Sequence, residues 1–362
     1  MTRVAIVGGG IAGLAAAASL APSTRVLVLE RETALGYHAS GRSAAMFIAD
    51  YGNDTVRVLN QASRPVHESL DVLSPRGLMA VAFQEDTDAF EADVAALGLA
   101  EIPVREAHSR VPILSPGIVR AGHSENAQDI DTNRLLQAMA SEARRHGAII
   151  RVGAGVTKIE HADLWHLSVG DEKVVADVVV NAAGAWADEV AAMAGTARIG
   201  LQPCRRSVAR LPAPGGRDVR NWPLLMGPGD SWYAKPDAGG WIVSAAEEDP
   251  MEPMDAWADD MVLAEGLARY EPYVTEPVVR MEANWAGLRT FAPDRALVIG
   301  EAPGHPGFFW MAGQGGYGFQ TAPAAAALLA DLVLDRAPSL PADVVDSLLP
   351  SRFCRLRHAT GP

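Results

Sequence analysis

The chain has 362 residues, of which 49% are hydrophobic and 34 are glycines, and this is typical of a globular α/β protein with two domains. The formal net charge of −13 opposes nonspecific binding of nucleic acid or anionic lipid. The two cysteines, Cys204 and Cys354, are far apart, so we expect neither a disulfide framework nor a metal site. We find no transmembrane or signal-peptide pattern and expect a cytoplasmic protein; peripheral contact with the inner membrane stays open.

The first predicted elements are a strand over 3–8, an alanine-rich helix over 11–20 and a second strand over 25–30. A Gly-x-Gly-x-x-Gly turn connects the first strand to the helix, and Glu30 lies about 20 positions after Gly10. The order of strand, glycine turn, helix, strand and acid predicts a dinucleotide-binding unit. An ordinary βαβ unit with a glycine-rich turn is the alternative.

Each residue type in this turn has a physical role. Gly8 permits the tight turn, Gly10 lets the backbone approach a pyrophosphate, and Gly13 lets the helix pack closely on the strand. The free N–H groups at the helix N-terminus attract phosphates, and Glu30 can accept hydrogen bonds from a ribose. The candidate cofactor-binding residues from this unit are Gly8, Gly10, Ile11, Ala12, Gly13 and Glu30.

Helices and strands continue to alternate up to about residue 200. Asp131 precedes an amphipathic run and is a candidate helix N-cap. Residues 200–285 carry prolines, tryptophans and short alternating stretches, which are typical of an antiparallel sheet. The predicted helices span 54–72, 86–98, 133–146 and 322–334, and the predicted strands span 76–83, 149–152, 155–160, 174–181, 296–299 and 308–312.

We therefore predict an α/β (α+β) protein in which a Rossmann-like cofactor domain interleaves with an antiparallel-sheet substrate domain. The cofactor domain would contain 1–75, 130–200 and 286–362, and the substrate domain 76–129 and 201–285. A cofactor domain assembled from distant segments favours FAD over a nicotinamide, whose binding domain is usually one continuous block.

Nearly the whole chain carries short motifs in a fixed order. They include Glu30-Arg31-Glu32, Gly41-Arg42-Ser43-Ala44-Ala45, Asn181-Ala182-Ala183-Gly184-Ala185-Trp186, Trp285-Ala286-Gly287-Leu288-Arg289 and Gln314-Gly315-Gly316-Tyr317-Gly318. This set resembles the FAD-dependent amine and D-amino-acid oxidoreductase (DAO) family, in particular its D-arginine dehydrogenases. The resemblance implies the fold of glutathione reductase-2 and D-amino-acid oxidase.

The resemblance also implies which residues contact FAD. The turn at Gly315 and Gly316 would aim a helix N-terminus at the flavin and stabilise its anionic reduced form. Covalent relatives carry a cysteine near the position of Gly287, and this chain has none there, so we predict noncovalent FAD. A buried strand end is the alternative for the motif Asn181–Trp186, and a loop that starts a helix is the alternative for the motif Gly315–Gly318. The implied residues are Arg31, Arg42, Ser43, Ala44, Ala45, Val156, Ala183, Gly184, Trp186, Gly315, Gly316, Tyr317, Gly318 and Gln320.

A carboxylate-binding group is expected at Arg289, which follows a predicted strand among apolar residues. A guanidinium there needs a partner, and it fits a carboxylate through two parallel hydrogen bonds; an internal ion pair is the alternative. The resemblance implies that Tyr233 donates a second hydrogen bond and that Tyr51 lies on a mobile loop over the site. Arg206 matches a further site arginine, although its neighbour Arg205 leaves the choice open. Gly316 and Gln320 complete the candidates near the reacting atoms.

Two departures concern the substrate. The D-arginine dehydrogenases carry a histidine where this chain has Met46, and a glutamate that selects basic side chains where it has Leu78. Placing an unpaired cation against these residues would cost about 2–5 kcal/mol. We therefore expect a neutral, apolar or aromatic side chain on the substrate.

The sequence thus predicts oxidation of a D-amino acid to the 2-oxo acid and ammonia by hydride transfer to flavin N5. Oxidation of a secondary amine, an N-methyl amino acid or a 2-hydroxy acid is an alternative, and a non-catalytic flavin-binding subunit is another. The expected partner is a small amino-acid substrate, with no nucleic acid. The electron acceptor (quinone, carrier or oxygen) and the oligomeric state stay open.

Overall fold

A computed structural model describes residues 1–44 and 46–354. The predicted cofactor residue Ala45 lies outside the described residues. The helices are α1 Ile11–Leu20, α2 Asp54–Ser69, α3 Thr87–Leu97, α4 Val104–Arg110, α5 Thr132–Arg145, α6 Ala187–Met193, α7 Asp260–Tyr270, α8 Gly318–Val333 and α9 Ala342–Leu348.

The strands form four sheets. They are β1 Arg3–Val7, β2 Arg25–Leu29, β3 Met46–Phe47, β4 Leu73–Pro75, β5 Leu78–Ala82, β6 Ala100–Ile102, β7 Arg120–Ser124, β8 Gln128–Ile130, β9 Ile149–Arg151, β10 Val156–His161, β11 Trp165–Val169, β12 Glu172–Ala176, β13 Val178–Asn181, β14 Gln202–Leu211, β15 Leu224–Met226, β16 Tyr233–Asp237, β17 Gly240–Ser244, β18 Asp249–Pro250, β19 Ala283–Phe291, β20 Val298–Glu301 and β21 Phe308–Ala312.

The first sheet has the order β20-β21-β13-β1-β2-β9. Strands β9, β2, β1, β13 and β21 run parallel, and β20 is an antiparallel edge strand. Val7 at the end of β1 pairs with Leu29 on one side and Asn181 on the other. The carboxyl ends of three strands therefore meet at one edge, which is where open α/β sheets bind ligands.

Apolar layers cover both faces of this sheet. Helices α1, α5 and α8 share one buried cluster with β1 and β13, and the small sheet β10-β11-β12 packs with α6 on the other face. The packing of α1 is close because Gly13 has no side chain: a Cβ there would lie 2.0 Å from the Gly8 carbonyl oxygen. The predicted role of Gly13 in helix–strand packing is thus confirmed.

The second large sheet has nine strands, in the order β18-β14-β17-β16-β15-β5-β7-β6, with β19 also paired to β14. Its pairings within 202–291 are antiparallel, as predicted, but β15 runs parallel to β5. The predicted domain boundary at residue 286 falls inside β19. The division into two domains stays a prediction. A small sheet, β3-β8-β4, completes the strands.

Three predicted elements differ from the structure. The single strand over 174–181 is two strands, because the chain turns at Asp177, whose carboxylate accepts a hydrogen bond from the Arg3 backbone at 2.7 Å. The last long helix begins at Gly318 instead of residue 322, directly after the glycine turn. Arg289 lies within β19 instead of after a strand. The predicted N-cap Asp131 is confirmed by its 2.8 Å hydrogen bond from the Arg134 N–H.

Within the described ranges, no helix has both the length and the apolar character needed to span a bilayer.

We predict losses of stability of different size for alanine substitutions at two glycines of the first turn. Gly13→Ala should lower the free energy of unfolding by about 1–3 kcal/mol, because the added methyl group collides with backbone. Gly10→Ala is the matched control: its Cβ would meet only the Ser40 hydroxyl, at 3.1 Å, and should cost at most about 1 kcal/mol as a weaker N-cap. Urea denaturation measures both, and equal stability of the two variants would contradict the packing argument.

Candidate active site

One large cavity lies between the two large sheets, with about 1820 Å³ of empty space that is partly open to solvent. The carboxyl ends of β1, β2 and β13 form one end of it, and β14, β16 and β19 form the other. Its lining includes these predicted site residues: Gly8, Gly10, Ile11, Ala12, Glu30, Arg31, Arg42, Ser43, Ala44, Met46, Val156, Ala183, Gly184, Trp186, Arg206, Tyr233, Arg289, Gly315, Gly316, Gly318 and Gln320.

The glycine turn and Glu30 form the first part of the wall. Gly10 is the N-cap of α1, and the Ile11 N–H donates to the Ser40 hydroxyl at 3.0 Å. Both oxygens of the Glu30 carboxylate accept backbone N–H groups, from Gly9 at 2.6 Å and Glu32 at 2.8 Å. These bonds fix the carboxylate at the cavity, and each oxygen keeps a second lone pair for a ligand hydroxyl.

The motif at the end of β13 lines the neighbouring wall. A Cβ at Gly184 would have no atom within 4 Å, and its φ of +56° favours glycine. The Arg31 guanidinium stacks over the Trp186 ring at 4.4 Å, so its charge is held at the rim by a cation–π contact. This part of the wall is therefore open and flat, as a planar or extended ligand requires.

Arg42 lines the cavity, but its guanidinium is bound to protein groups. Nη1 donates to the carbonyl of Ala256 at 2.6 Å and to that of Ala286 at 3.1 Å, and Nη2 pairs with Asp255. The Arg42 carbonyl in turn accepts from the Trp285 indole at 3.0 Å. Its side chain thus joins β19 to the loop that contains Asp255 and Ala256, and the expected contact of Arg42 with FAD stays a prediction.

The start of α8 and the strand β19 each supply one buried polar atom that has no partner among the described residues. Gln320 is 3% exposed; its Oε1 accepts from the Ile48 N–H at 3.1 Å, while its Nε2 has no partner among the described residues. The buried Thr290 hydroxyl on β19 also has none there. Both residues line the cavity, and buried polar groups are rarely left unsatisfied. They are therefore suited to hydrogen-bond a bound ligand.

Helix α2 supports this part of α8, which sequence reasoning missed. Pro323 has no N–H and interrupts the helical hydrogen bonds of α8. Two side chains of α2 bind the groups near this break: the His67 Nε2 lies 3.0 Å from the Gln320 carbonyl, and the Ser63 hydroxyl accepts from the Ala324 N–H at 3.1 Å. The proline within a predicted helix was the available signal.

Arg289 forms no ion pair with a carboxylate in the part of the chain that the structure describes. Burial alone would lower its pKa, but the oxygens of Tyr51, Tyr233 and Asp230 outweigh this effect, so the pKa of Arg289 is raised. The guanidinium is thus a permanent, incompletely compensated positive charge on the cavity wall. An internal ion pair, the alternative from sequence, is not observed among these residues.

Strand geometry separates the two adjacent arginines of β14. Successive side chains point to opposite faces of a strand. Arg206 lines the cavity, whereas Arg205 does not and pairs with Asp249 at 2.9 Å. The side chain of Arg206 is close to Glu248, at 3.2 Å. The sequence left the choice between Arg205 and Arg206 open, and the geometry favours Arg206 as the arginine that faces the cavity.

An apolar cluster closes the cavity near Tyr233. It contains Leu78, Leu224 and Met226, with Met46 packed against it. Lys235 lies behind this cluster, where its ammonium pairs with Asp129 and lies 3.7 Å from the Met46 sulfur. The lysine is thus paired with a carboxylate, which also pairs with Arg76 at 2.6 Å.

Four predicted site residues do not line the cavity directly. Gly13 packs α1 on the sheet, and Leu78 lies in the apolar cluster just described. Tyr51 and Tyr317 form an edge-to-face pair with ring centroids 5.4 Å apart, and the Tyr51 oxygen contributes to the raised pKa of Arg289. These residues act behind or beside the wall.

The cavity fits FAD. Gly10 and Gly184 leave space that any side chain would occupy, and Gln320 and Thr290 offer unsatisfied polar groups. The "FAD dependent oxidoreductase" (DAO) family matches residues 3–332. The chain belongs to this family and is a FAD-dependent oxidoreductase. The closer resemblance to D-arginine dehydrogenases stays a prediction.

Relatives differ in how much of their length the chain spans. The glycine oxidase of Pseudomonas aeruginosa is 26% identical, over 94% of this chain and 98% of that protein. The tRNA 5-methylaminomethyl-2-thiouridine biosynthesis bifunctional protein MnmC of Caulobacter sp. is 28% identical, over 99% of this chain and 59% of that protein. The uncharacterized oxidoreductase YurR of Bacillus subtilis is 25% identical, over 67% of this chain and 64% of that protein. The chain thus spans less than two thirds of MnmC and of YurR.

Solved structures share the fold. Glycine oxidase from Geobacillus kaustophilus superposes with a TM-score of 0.80 at 24% identity, covering 95% of this chain and 98% of that one. L-proline dehydrogenase from P. horikoshii superposes with a TM-score of 0.83 at 21% identity, covering 98% of both chains. The predicted α/β fold of this family is therefore confirmed.

We predict that His67 makes stability depend on pH. Burial lowers the pKa of His67. As the pH falls, the imidazole therefore binds a proton at a higher pH in the unfolded chain than in the folded chain. The contribution of His67 to the free energy of unfolding is complete above about pH 6.5. It is lost as the pH falls, with a slope of up to about 1.4 kcal/mol per pH unit. His67→Gln keeps a donor to the Gln320 carbonyl but cannot titrate. Its free energy of unfolding should fall less than that of the wild type between pH 7.5 and 5.5, as measured in urea.

The control for this prediction is Ser63→Ala, which removes the other hydrogen bond between α2 and α8 without changing a titratable group. It should lower stability by about 1 kcal/mol at both pH values. A wild-type pH dependence in His67→Gln would contradict the role given to His67.

Proposed function

We propose that this protein oxidises the carbon–nitrogen bond of a small amino acid with a neutral side chain, and that its preferred substrate is a D-amino acid, converted to the 2-oxo acid and ammonia. The observation that carries the proposal is Arg289, a cavity-facing guanidinium without a carboxylate partner among the described residues. Such a group binds an external carboxylate strongly, because the bond is charge-assisted and can be bidentate.

The residues around Arg289 support a substrate held at its carboxylate. The oxygens of Tyr51 and Tyr233 both raise the pKa of Arg289, and Tyr233 lines the cavity with it. Bound FAD would supply the two-electron oxidation by accepting a hydride. The contribution of the protein is then position: Arg289 and Tyr233 fix one end of the substrate, so that the Cα–H bond is presented in a constant orientation.

The far end of the cavity supports a neutral substrate side chain. Met46, Leu78 and Met226 belong to one apolar cluster, and the nearby ammonium of Lys235 is already paired with Asp129. A guanidinium or ammonium on the substrate would lose its hydration there without gaining a partner. An apolar side chain instead gains about 25 cal/mol for each Å² of surface that it buries.

A secondary amine is the second candidate substrate. Two proteins similar to this chain are named for such compounds: L-proline dehydrogenase and MnmC, whose name contains a methylaminomethyl group. The same carboxylate clamp would hold an N-alkyl amino acid such as sarcosine. These similarities support oxidation of an amine but do not favour one nitrogen substituent.

The experiment is anaerobic reduction of the FAD-loaded protein by a substrate panel, followed in the flavin absorbance. We expect D-leucine, D-methionine or D-phenylalanine to reduce the flavin faster than D-arginine. Sarcosine, L-proline and 2-hydroxy acids test the alternatives, and admission of air then distinguishes oxygen from another acceptor. Faster reduction by D-arginine would overturn the assignment of a neutral side chain, and no reduction by any compound would favour a non-catalytic flavoprotein.

Arg289→Met should lower kcat/KM for the best substrate by roughly 10²–10³-fold, since one partner of a charged hydrogen-bonded pair is lost. Arg205→Met is the matched control on the neighbouring strand β14, on the face that does not line the cavity: it should lower stability, because Asp249 loses its partner, but leave KM unchanged. Equal effects of the two variants on KM would contradict the clamp.

We also propose that FAD is held without a covalent bond. A Cβ at Gly287, near which covalent relatives carry a cysteine, would lie 3.4 Å from the Arg42 Cβ, and Cys204 is buried on β14. Precipitation with trichloroacetic acid should release all flavin absorbance into the supernatant. Yellow colour in the washed pellet would contradict this prediction.

A further inference from the structure

Charged groups surround Arg206 at the substrate end of the cavity. Arg206 is 6% exposed, and its Nε and Nη1 atoms have no hydrogen-bond partner in the described ranges. Its charge is met by two carboxylates: Glu248 lies 3.2 Å from Nη2, and Asp230 lies 3.7 Å from Nη1. Glu248 also pairs with Arg295 at 2.9 Å. Arg206 is therefore neutralised but not saturated with hydrogen bonds.

A constrained turn between β15 and β16 holds Asp230 in place. Its φ is +51°, in the left-handed region that aspartate and asparagine tolerate better than most residues. The preceding Gly229 N–H donates to Asp93 at 2.8 Å, and Arg269 donates to the Ser231 carbonyl at 3.1 Å. The turn thus directs one carboxylate toward Arg206. Burial raises the pKa of Asp230, and the positive charges of Arg206 and Arg289 oppose this effect.

The balance of charge limits what this end of the cavity can bind. The guanidinium groups of Arg206, Arg289 and Arg295 and the carboxylates of Asp230 and Glu248 together leave one positive charge. Arg289 is the guanidinium without an ion pair in the described chain. One substrate carboxylate completes the balance. A second carboxylate would face Asp230 and Glu248 at close range, and like charges in a partly buried site repel strongly.

We propose that Asp230 and Glu248 are specificity-determining residues that restrict the site to monocarboxylates. They occupy Arg206, which would otherwise act as a second carboxylate-binding arginine beside Arg289. This inference rests on the proposed function, because it takes Arg289 as the site of the substrate carboxylate. It adds a substrate class: amino acids with one carboxylate, to the exclusion of aspartate, glutamate and other dicarboxylates.

The test measures equilibrium binding of butyrate and succinate to the FAD-loaded protein, followed by the change in flavin absorbance. The two probes share a four-carbon chain and differ in one methyl or carboxylate group. The wild type should bind butyrate about tenfold or more tightly than succinate. Asp230→Asn preserves the backbone preference of the turn, and Asp230→Asn with Glu248→Gln removes both negative charges. Each should strengthen succinate binding by about tenfold or more and change butyrate binding by less than about threefold.

Asp249→Asn is the matched control, because it removes a carboxylate from Arg205 on the opposite face of the same strand; it should leave the ratio of the two affinities unchanged. Unchanged succinate binding in both variants, with butyrate binding intact, would overturn this inference alone. If instead Arg289→Met binds butyrate as tightly as the wild type, the carboxylate clamp fails, and the proposed function with it.

Discussion

The organisation of the substrate end depends on the cost of a buried positive charge without a partner. A guanidinium removed from water must recover its hydration energy from nearby dipoles and anions. Around Arg289 the protein supplies the oxygens of two tyrosines, Tyr51 and Tyr233, and the carboxylate of Asp230. This partial compensation keeps the arginine charged, and the guanidinium can still bind one anionic group of a ligand. The rest of the site is arranged so that a ligand, and not another protein group, satisfies it.

The two large sheets bring this charge to the cofactor edge. The parallel sheet ends at Val7, Leu29 and Asn181 on one side of the cavity, and β19 carries Arg289 on the other. The start of α8 lies between them: a Cβ at Gly316 would be only 3.1 Å from an Arg289 nitrogen. The glycine there lets a helix N-terminus and a guanidinium lie side by side. Both favour negative charge, so this is the region in which an electron-rich group would be stabilised.

Local patterns in the sequence predicted the parts of the site that depend on backbone. The strand, glycine turn and helix at the N-terminus, the buried end of β13 and the turn before α8 all form as expected, because glycine spacing and apolar runs determine them directly. The partners of charged side chains were less accessible. That Arg42 binds Asp255, or that Asp230 faces Arg206, depends on segments more than 20 residues apart. Tertiary packing sets such contacts, and local spacing does not encode them. Likewise, Asp177 divides a continuous apolar run because Arg3 binds its carboxylate.

Arg205 and Arg206 show how a strand can assign different roles to identical side chains. They are adjacent in sequence and have nearly the same neighbouring residues, so the sequence composition around them cannot tell which one faces the cavity. The period of two places one on each face of β14. On one face, Asp249 makes Arg205 part of the framework; on the other, Arg206 meets the cavity with two of its nitrogen atoms unsatisfied. The carboxylates that accompany Arg206 lie on loops that adjoin the cavity, where they can change without disturbing the sheet. Substrate preference can therefore vary through Asp230 and Glu248, while the strand that holds the arginines stays constant.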